Sequence, residues 1–310
     1  MHKFLCCCAL TLSFLGTCLN AEEAIFVEQI GEHNPWRQTF LMSEKLYEGK
    51  SEFQNIVIFQ NAEFGRVLAL DGIIQTTEAD EPFYHEMIVH VPMMAHGRAK
   101  RVLIIGGGDG GTLREVLRHK CVEKVTMVDL DGEVVSLSKK YLPNQSKGAF
   151  ENPKTQLLIQ DGIEFVKNTK DKFDVIICDT TDPVGPGEVL FTSDFYANCK
   201  KILNQNGLIV TQNGVPFINN GASAVALQNL VPHFKDARFF VTSVPTYVGS
   251  FMTFSFATDN PKYHDISVEE LSRRLSALDG KMHYYTPEIH KASFALPQYI
   301  KDQRATTSKK

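Results

Sequence analysis

Residues 101–119 read RVLIIGGGDGGTLREVLRH, and this stretch decides the fold. A short β-branched run leads into a glycine loop, and an amphipathic helical pattern follows at once. Gly106, Gly108 and Gly111 satisfy the GxGxxG spacing, and Asp129 stands about twenty residues further on, at the end of the next apolar run. Glycines at these positions permit a tight turn and let a ligand approach the backbone N–H groups. The stretch therefore predicts the first strand, loop and helix of a nucleotide-binding parallel sheet.

After residue 98 the chain alternates between short apolar runs and amphipathic helical patterns. Strands are predicted at 101–105, 124–130, 155–161, 173–179 and 207–213, with helices at 112–119, 133–142, 163–168, 193–203 and 222–234. Residues 237–244 and 251–258 are two further strands with only a loop between them, so they should pair antiparallel. The pattern predicts an α/β fold: a Rossmann-like, methyltransferase-type doubly wound sheet of five parallel strands with a C-terminal antiparallel pair.

The chain before residue 98 has a different pattern, which is β from about residue 25 to residue 77. Short β-branched runs at 54–59, 65–70 and 73–77 are separated by turn residues, which indicates a small antiparallel β-domain. Asp80 should then cap a connecting helix that has Pro82 in its first turn. We therefore divide the chain into a signal-like segment (1–21), a β-domain with its helix (22–97), a catalytic domain (98–302) and a polar tail (303–310).

The first 21 residues have the composition of an export signal. His2 and Lys3 precede an apolar run from Phe4 to Leu15, and small residues follow. The run is too short to span a bilayer, and residues 15–18 loosely resemble a lipoprotein cleavage box. The alternative interpretation is a nonfunctional extension, or a start codon placed too far upstream.

Charge and cysteine content exclude several classes of protein. The net charge of -4 offers no basic surface, so we expect no nucleic-acid partner. Cys121, Cys178 and Cys199 are widely spaced and form no CxxC pair, so we interpret them as buried thiols. No His/Cys cluster has zinc spacing, and the sequence therefore predicts no metal.

Asp109, inside the glycine loop, discriminates between nucleotide ligands. A pyrophosphate against these backbone amides would be repelled, since two unit charges ~4 Å apart at an effective dielectric constant of ~20 interact by about 4 kcal/mol. A ligand that ends in a bare ammonium would instead be attracted. Decarboxylated S-adenosylmethionine combines a nucleoside, a sulfonium and a primary amine without any anionic group. The alternative is that Asp109 merely caps the following helix.

Carboxylates follow four consecutive predicted strands: Asp109, Asp129, Asp161 and Asp179, with Asp182 three residues after the last. One such residue would be ordinary turn chemistry, but ligands of open α/β sheets lie outside the carboxyl ends of the strands. Four acids at that edge predict a site for cationic ligands, such as a sulfonium nucleoside and a diamine. In the loop DTTDPVGPG (179–187), one acid can accept a proton from an attacking amine while the other holds a distal ammonium.

Four long motifs add a family resemblance. GGGDGGTLREVLRH (106–119), DTTDPVGPGEVLFTSDFY (179–196), IIQTTEADEPFYHEM (73–87) and PTYVGSFMTFSFATDN (245–260) resemble bacterial spermidine synthases, and the resemblance extends from about residue 32 to 302. It implies transfer of an aminopropyl group from decarboxylated S-adenosylmethionine to putrescine, which yields spermidine and 5′-methylthioadenosine. It also implies a homodimer or homotetramer, and no cofactor beyond the donor, which is a co-substrate.

The same resemblance assigns roles to individual residues. Asp179 is implied to be the general base, and Tyr84 to bind near the attacking nitrogen. On the donor side, the resemblance implies binding roles for Gln54, Gly106, Gly108, Asp109, Asp129, Asp161, Gly162 and Pro186. Many relatives have Glu where this chain has Asp129. The implied diamine channel is lined by Gln75, Tyr84, His85, Asp109, Asp179, Asp182, Gln212 and Tyr247.

Other interpretations of these residues and of the whole chain stay open. His85 could be a hydrogen-bonded helix residue, Tyr247 a pocket wall, and Gln54 and Gln75 polar residues of edge strands. A methyltransferase shares the fold, although Asp109 and both acids of the 179–187 loop argue against it. An exported polyamine-binding protein would need neither a base nor a nucleoside site. Because the decarboxylated donor is made inside cells, we favour the cytoplasm, with export as the alternative.

Overall fold

Residues 24–30, 34–182, 185–219, 221–249 and 251–307 are described by the computed structural model, with the backbone alone for 185, 186 and 304–307. The signal-like segment 1–21 and Pro183 lie outside the described residues. Three sheets organise the described chain: a two-stranded sheet, a four-stranded sheet and a seven-stranded sheet. Within the described part of the chain, no helix has both the length and the apolar composition needed to cross a membrane.

The N-terminal part is antiparallel throughout, as the sequence predicts. Its strands are β1 (Ala24–Gln29), β2 (Arg37–Met42), β3 (Glu44–Lys50), β4 (Asn55–Asn61), β5 (Gly65–Leu70) and β6 (Ile73–Thr77). β1 pairs with β2, while β3 to β6 form a meander in chain order. The β5–β6 turn places Asp71 at φ 47° and Gly72 at φ 79°, as a tight hairpin turn requires. Gln54 lies just before β4 and not within a strand.

A long helix, α1 (Glu81–His96), connects the two parts, and it is buried almost all round. Asp80 occupies its N-cap position, but the predicted side-chain cap is wrong. The Asp80 carboxylate instead accepts hydrogen bonds from the hydroxyl groups of Thr77 and Thr246, at 2.5 and 2.7 Å. It thereby ties the start of α1 to the loop between the last two strands of the chain.

The second part contains the predicted alternation. Its elements are β7 (Arg101–Gly106), α2 (Gly111–Leu117), β8 (Lys124–Asp129), α3 (Gly132–Tyr141), α4 (Pro143–Ser146), β9 (Thr155–Ile159), α5 (Gly162–Asn168), β10 (Phe173–Asp179), α6 (Ser193–Ile202), β11 (Leu203–Gln212), α7 (Ala222–Leu230), β12 (Asp236–Ser243) and β13 (Phe251–Thr258). The helix predicted over 222–234 ends at Leu230, and Val231–His233 continue as a 3-10 turn because Pro232 has no N–H to donate.

The strand order is β12-β13-β11-β10-β7-β8-β9. β7 to β11 are parallel, and β13 pairs antiparallel with both β11 and β12, so the predicted fold class is confirmed. The chain leaves β7 toward β8 on one side and later returns to β10 on the other. The carboxyl ends of β7 and β10 therefore form the topological switch point where such sheets bind ligands. Helix α1 packs against α2 and this sheet, which places it structurally with the second part.

The C-terminal region has more helix than the sequence predicts. α8 (Val268–Leu275), α9 (Pro287–Ala292) and α10 (Gln298–Thr307) follow the sheet. The predicted polar tail, 303–310, begins inside α10, whose Ile300 is buried against the sheet's core. Cys178 and Cys199 are buried free thiols as expected, but Cys121 is only half-buried.

Candidate active site

The glycine loop follows β7 and is hydrogen-bonded to the end of β10. Gly106 has φ +82°, and the N–H of Gly107 donates to the carbonyl of Asp179 at 2.8 Å. A Cβ on Gly106 would lie 2.1 Å from that carbonyl oxygen, so a side chain there would force the two strand ends apart. The glycine spacing in the sequence thus has a packing reason here besides its suitability for a ligand.

Asp179 ends β10 and is held by two hydroxyl groups. Tyr84 Oη of α1 donates to Oδ1 at 2.7 Å, and Thr112 Oγ1 of α2 donates to Oδ2 at 2.6 Å. Burial raises the pKa of Asp179, and the charge of Asp109 raises it further. A carboxylate oriented from both sides, with an elevated pKa, is well suited to accept a proton. Sequence reasoning did not single out Thr112, although its place one residue into the helix after the glycine loop aims it at the neighbouring strand end.

We expect Thr112→Val to lower kcat about tenfold, because one of the two hydrogen bonds that hold the Asp179 carboxylate is lost. The Thr112 hydrogen bond also lowers the pKa of Asp179. Its loss should therefore raise that pKa and move the acid limb of the kcat/KM profile to higher pH. Thr112→Ser retains the hydroxyl and should keep both the rate and the limb. An unshifted profile in Thr112→Val would contradict the role of this hydroxyl.

Asp109 lies in the glycine loop and faces His85. Its Oδ1 accepts from the N–H of Gly111 at 2.6 Å and lies 3.3 Å from His85 Nε2. The N-cap position itself is Gly110, without a side-chain cap, but Gly111 is the first residue of α2, so the Asp109 carboxylate bonds the start of this helix as well as facing His85. A Cβ on Gly111 would come within 2.3 Å of the His85 ring, so the imidazole rests directly on this glycine.

Asp129 ends β8 beside the loop. Its Oδ1 accepts from the N–H of Asp131 at 2.8 Å, and a Cβ on Gly108 would lie 3.0 Å from its Oδ2. Burial raises the pKa of Asp129 to about 6, and the charges of Asp131, Asp179 and Asp109 contribute. Three predicted strand-end acids therefore influence one another electrostatically, as expected for residues that share a crevice.

Gln54 reaches this side of the site through Asp131, a residue that sequence reasoning missed. Gln54 Nε2 and Ser51 Oγ donate to Asp131 Oδ2 at 2.9 and 2.6 Å. The other carboxylate oxygen caps α3 through the N–H of Glu133 at 3.0 Å. The N-terminal sheet is thus tied to the β8–α3 turn. The sequence offered one signal for Asp131, namely its position just before a predicted helix.

Asp161 follows β9 but is turned toward its own helix. Its Oδ1 accepts from the N–H of Ile163 at 2.7 Å, so it caps α5, and the residue is exposed. A Cβ on Gly162 would lie 2.7 Å from Ile105 Cγ2, which explains a glycine at the start of this helix. The nucleoside roles of Asp161 and Gly162 remain predictions, and so does that of Pro186, whose side chain is outside the described part of the chain.

Two further predicted diamine residues, Tyr247 and Gln212, lie near Tyr84 and the loop after Asp179. Tyr247 Oη donates to the carbonyl of Gln75 at 2.6 Å, and its ring stands edge-on to Tyr84 with 6.0 Å between centroids. Gln212 Nε2 donates to the carbonyls of Thr180 and Thr181 at 2.7 and 2.6 Å. Gln212 therefore holds the backbone of the loop after Asp179.

Asp182 continues that loop. A Cβ on Gly214 would lie 3.0 Å from its Oδ1, so the carboxylate packs against the segment that follows β11. Among the residues with described positions, no three His, Cys, Asp or Glu side chains form a group that could hold a metal ion.

Comparisons with known proteins match both the N-terminal part and the larger part of the chain. A family model described as spermine/spermidine synthase domain matches residues 81–267, and one described as spermidine synthase tetramerisation domain matches 25–78. Polyamine aminopropyltransferases of Shigella boydii serotype 18 and Escherichia coli O9:H4 are each 51% identical over 274 residues, which is 88% of this chain and 95% of theirs.

Two solved structures are similar over nearly their whole length. A spermidine synthase in complex with the transition-state analogue AdoDATO is 38% identical with a TM-score of 0.86, covering 92% of this chain and 96% of that one. The spermidine synthase from Thermotoga maritima is 36% identical with a TM-score of 0.83, covering 92% and 95%.

Proposed function

Because the chain belongs to the spermine/spermidine synthase family, we propose that it transfers the aminopropyl group of decarboxylated S-adenosylmethionine to putrescine. The products are spermidine and 5′-methylthioadenosine. One observation carries the proposal: the Asp179 carboxylate is fixed by Tyr84 and Thr112 next to a second carboxylate, Asp109, that His85 holds in place. A base and an anchor for an ammonium are thereby adjacent.

The donor binds along the glycine loop. Asp109 receives the terminal ammonium of its aminopropyl chain, and Asp129 receives the ribose hydroxyl groups, beside the backbone of Gly106 and Gly108. Asp161, Gly162, Gln54 and Pro186 surround the nucleoside. Exposed Leu130 and Ile159, at the ends of β8 and β9, supply apolar surface for the adenine ring, as nucleoside pockets require.

The acceptor binds on the other side of Asp179. Tyr84, His85, Gln75 and Tyr247 line its path, Gln212 shapes the adjoining loop, and Asp182 pairs with the distal ammonium. Asp179 takes a proton from the near amine, since an ammonium has no lone pair with which to attack.

The freed amine attacks the carbon beside the sulfonium. A C–N bond forms as the C–S bond breaks, and the bonding electron pair goes to sulfur, which leaves as a neutral thioether. The proton is on Asp179. The leaving group needs no neutralisation, so we propose neither a metal nor a cofactor beyond the co-substrate.

The test is an assay of the purified chain with putrescine and decarboxylated S-adenosylmethionine, with intact S-adenosylmethionine in parallel. We expect methylthioadenosine and spermidine in equal amounts from the decarboxylated donor only. Methylated putrescine from the intact donor would establish a methyltransferase instead. Cadaverine, agmatine and spermidine as acceptors then define the acceptor range.

Assembly and location are part of the proposal. The match of residues 25–78 to a tetramerisation domain supports a homodimer or homotetramer built on the N-terminal strands. The cytoplasm supplies the decarboxylated donor, which supports that location. If the protein isolated from cells begins near residue 21, or at a lipid-modified Cys18, it is exported.

A further inference from the structure

Behind Asp109, a line of charged side chains runs from the glycine loop into the protein. Glu81 Oε2 lies 2.6 Å from His85 Nδ1 and 2.8 Å from Arg114 Nη2. Arg114 Nε in turn lies 2.8 Å from Glu115 Oε1. The side chains of Glu81, Arg114 and Glu115 are 9%, 10% and 3% exposed, and none of them takes part in the steps above.

His85 is the link between this line and the active site. It lies between two carboxylates, with Glu81 on Nδ1 and Asp109 on Nε2. A neutral imidazole has a single N–H and can donate to only one of them, whereas an imidazolium donates to both. Burial lowers the pKa of His85, but the charges and hydrogen bonds of Asp109 and Glu81 outweigh burial and raise it well above its ordinary value. Asp179, at the end of β10, is the third carboxylate that interacts with this ring.

Glu81 must stay ionised for this arrangement to hold. Burial alone would raise its pKa, yet its hydrogen bonds and ion pairs with His85 and Arg114 lower it. Arg114 is itself fixed, because Nη1 donates to the carbonyl of Gln145 at 2.5 Å and Nε pairs with Glu115. Glu81 and His85 lie one turn apart on α1, while Arg114 lies on α2, so the two helices hold the ring from behind.

We propose that Glu81 and Arg114 are positioning residues for the donor: they keep His85 as an imidazolium that fixes the Asp109 carboxylate toward the donor's ammonium. The inference rests on the proposed function and adds two residues to it. Glu81 balances the charge of His85, so Asp109 keeps a full negative charge for its ligand. Without Glu81, His85 either loses its proton, so that its hydrogen bond to Asp109 is no longer charge-assisted, or keeps its proton and neutralises Asp109. Both results weaken the ammonium site.

Glu81→Gln tests the inference through two ligands that differ in the ammonium. We expect the dissociation constant of decarboxylated S-adenosylmethionine to rise about tenfold in Glu81→Gln, the effect of losing one charge-assisted hydrogen bond. The dissociation constant of methylthioadenosine, which has no ammonium, should stay within about twofold of its value for the unmodified chain. Titration calorimetry on the full chain measures both. Arg114→Gln should change the ratio in the same direction.

Glu86→Gln is the matched control, since Glu86 is a buried carboxylate on the same helix. It accepts from the backbone N–H groups of His283, Tyr284 and Tyr285 at 2.7 to 2.9 Å, away from the glycine loop. Its loss should lower Tm without changing the ratio of the two dissociation constants. If Glu81→Gln weakens both ligands equally, or neither, the inference is wrong.

A measurement on the unmodified protein reports the charge of His85 directly, and a variant serves only to assign its signals. In ¹⁵N spectra of the chain labelled at histidine, the His85 signals are those absent from His85→Gln. Both ring nitrogens of His85 should be protonated at about pH 8, which is above the ordinary histidine pKa of about 6.5. A neutral ring at that same pH would overturn the inference. Failure of the proposed function is a separate outcome: the unmodified chain then forms no methylthioadenosine from the decarboxylated donor and putrescine.

Discussion

Asp179→Asn should lower kcat at least about 1,000-fold, within the range that a positioned general base contributes. Asparagine occupies the same volume and can still meet Tyr84 and Thr112, whose hydroxyl groups lie 2.7 and 2.6 Å from the two carboxylate oxygens. It cannot accept the proton of the attacking amine. Steady-state kinetics with saturating donor and putrescine give the rate. Binding of methylthioadenosine should be largely retained, because the proposed role of Asp179 concerns the amine of putrescine and not the nucleoside.

The pH profile adds an independent test of the same role. Burial and the charge of Asp109 raise the pKa of Asp179 above its ordinary value. Protonated Asp179 has no free base to offer, so kcat/KM should fall as the pH drops through this elevated pKa. The residual activity of Asp179→Asn should lack that acid limb.

Asp174→Asn is the matched control, because Asp174 lies near the opposite end of the same strand, β10. Its Oδ2 accepts from the backbone N–H groups of Lys100 and Arg101 at 2.8 and 3.0 Å. Its substitution should lower Tm and leave kcat close to that of the unmodified chain. Near-normal turnover in Asp179→Asn, or an equal loss in Asp174→Asn, would contradict Asp179 as the base.

The sequence was sufficient to place the acids of the site because the geometry of parallel strands is regular. An aspartate at the end of a predicted parallel strand lies at the carboxyl edge of the sheet. Asp109, Asp129 and Asp179 are close to one another at that edge. Asp161 shows the limit of this reasoning. It also follows a strand, but its carboxylate caps α5. A strand-end position determines where the Cα lies, whereas the side-chain direction depends on which N–H groups are free nearby.

The partners of these acids were harder to predict, because they come from elements distant in sequence. Thr112 is hydrogen-bonded to Asp179, which is 67 residues away in the sequence, and Ser51 to Asp131, which is 80 residues away. Such pairs depend on how helices and loops pack once the sheet has formed. The strands over 24–50 lie in the region predicted to be β, but their bounds could not be given for a local reason. Their burial is partial and irregular, as in EKLYEGK, so the alternation that marks a half-buried strand is weak.

Asp109→Asn should weaken decarboxylated S-adenosylmethionine about 100-fold, since the donor's ammonium loses its charged partner. Methylthioadenosine, measured by the same calorimetry, should bind within about twofold of its affinity for the unmodified chain. The variant should also narrow the preference for the decarboxylated over the intact donor. In the proposed donor site, Asp109 attracts the bare ammonium and repels the carboxylate that the intact donor carries, and asparagine would do neither.

Asp161→Asn separates this charge effect from general damage to the donor site. Asp161 is another aspartate that follows a strand, but it is exposed and caps α5. If it contacts the adenine as proposed, both ligands lose affinity together, because both contain the nucleoside. A ratio that changes only in Asp109→Asn assigns the ammonium to the glycine loop. Equal weakening of both ligands in Asp109→Asn would mean that the loop carboxylate supports the fold of the site, and the choice of a decarboxylated donor would then have to come from elsewhere.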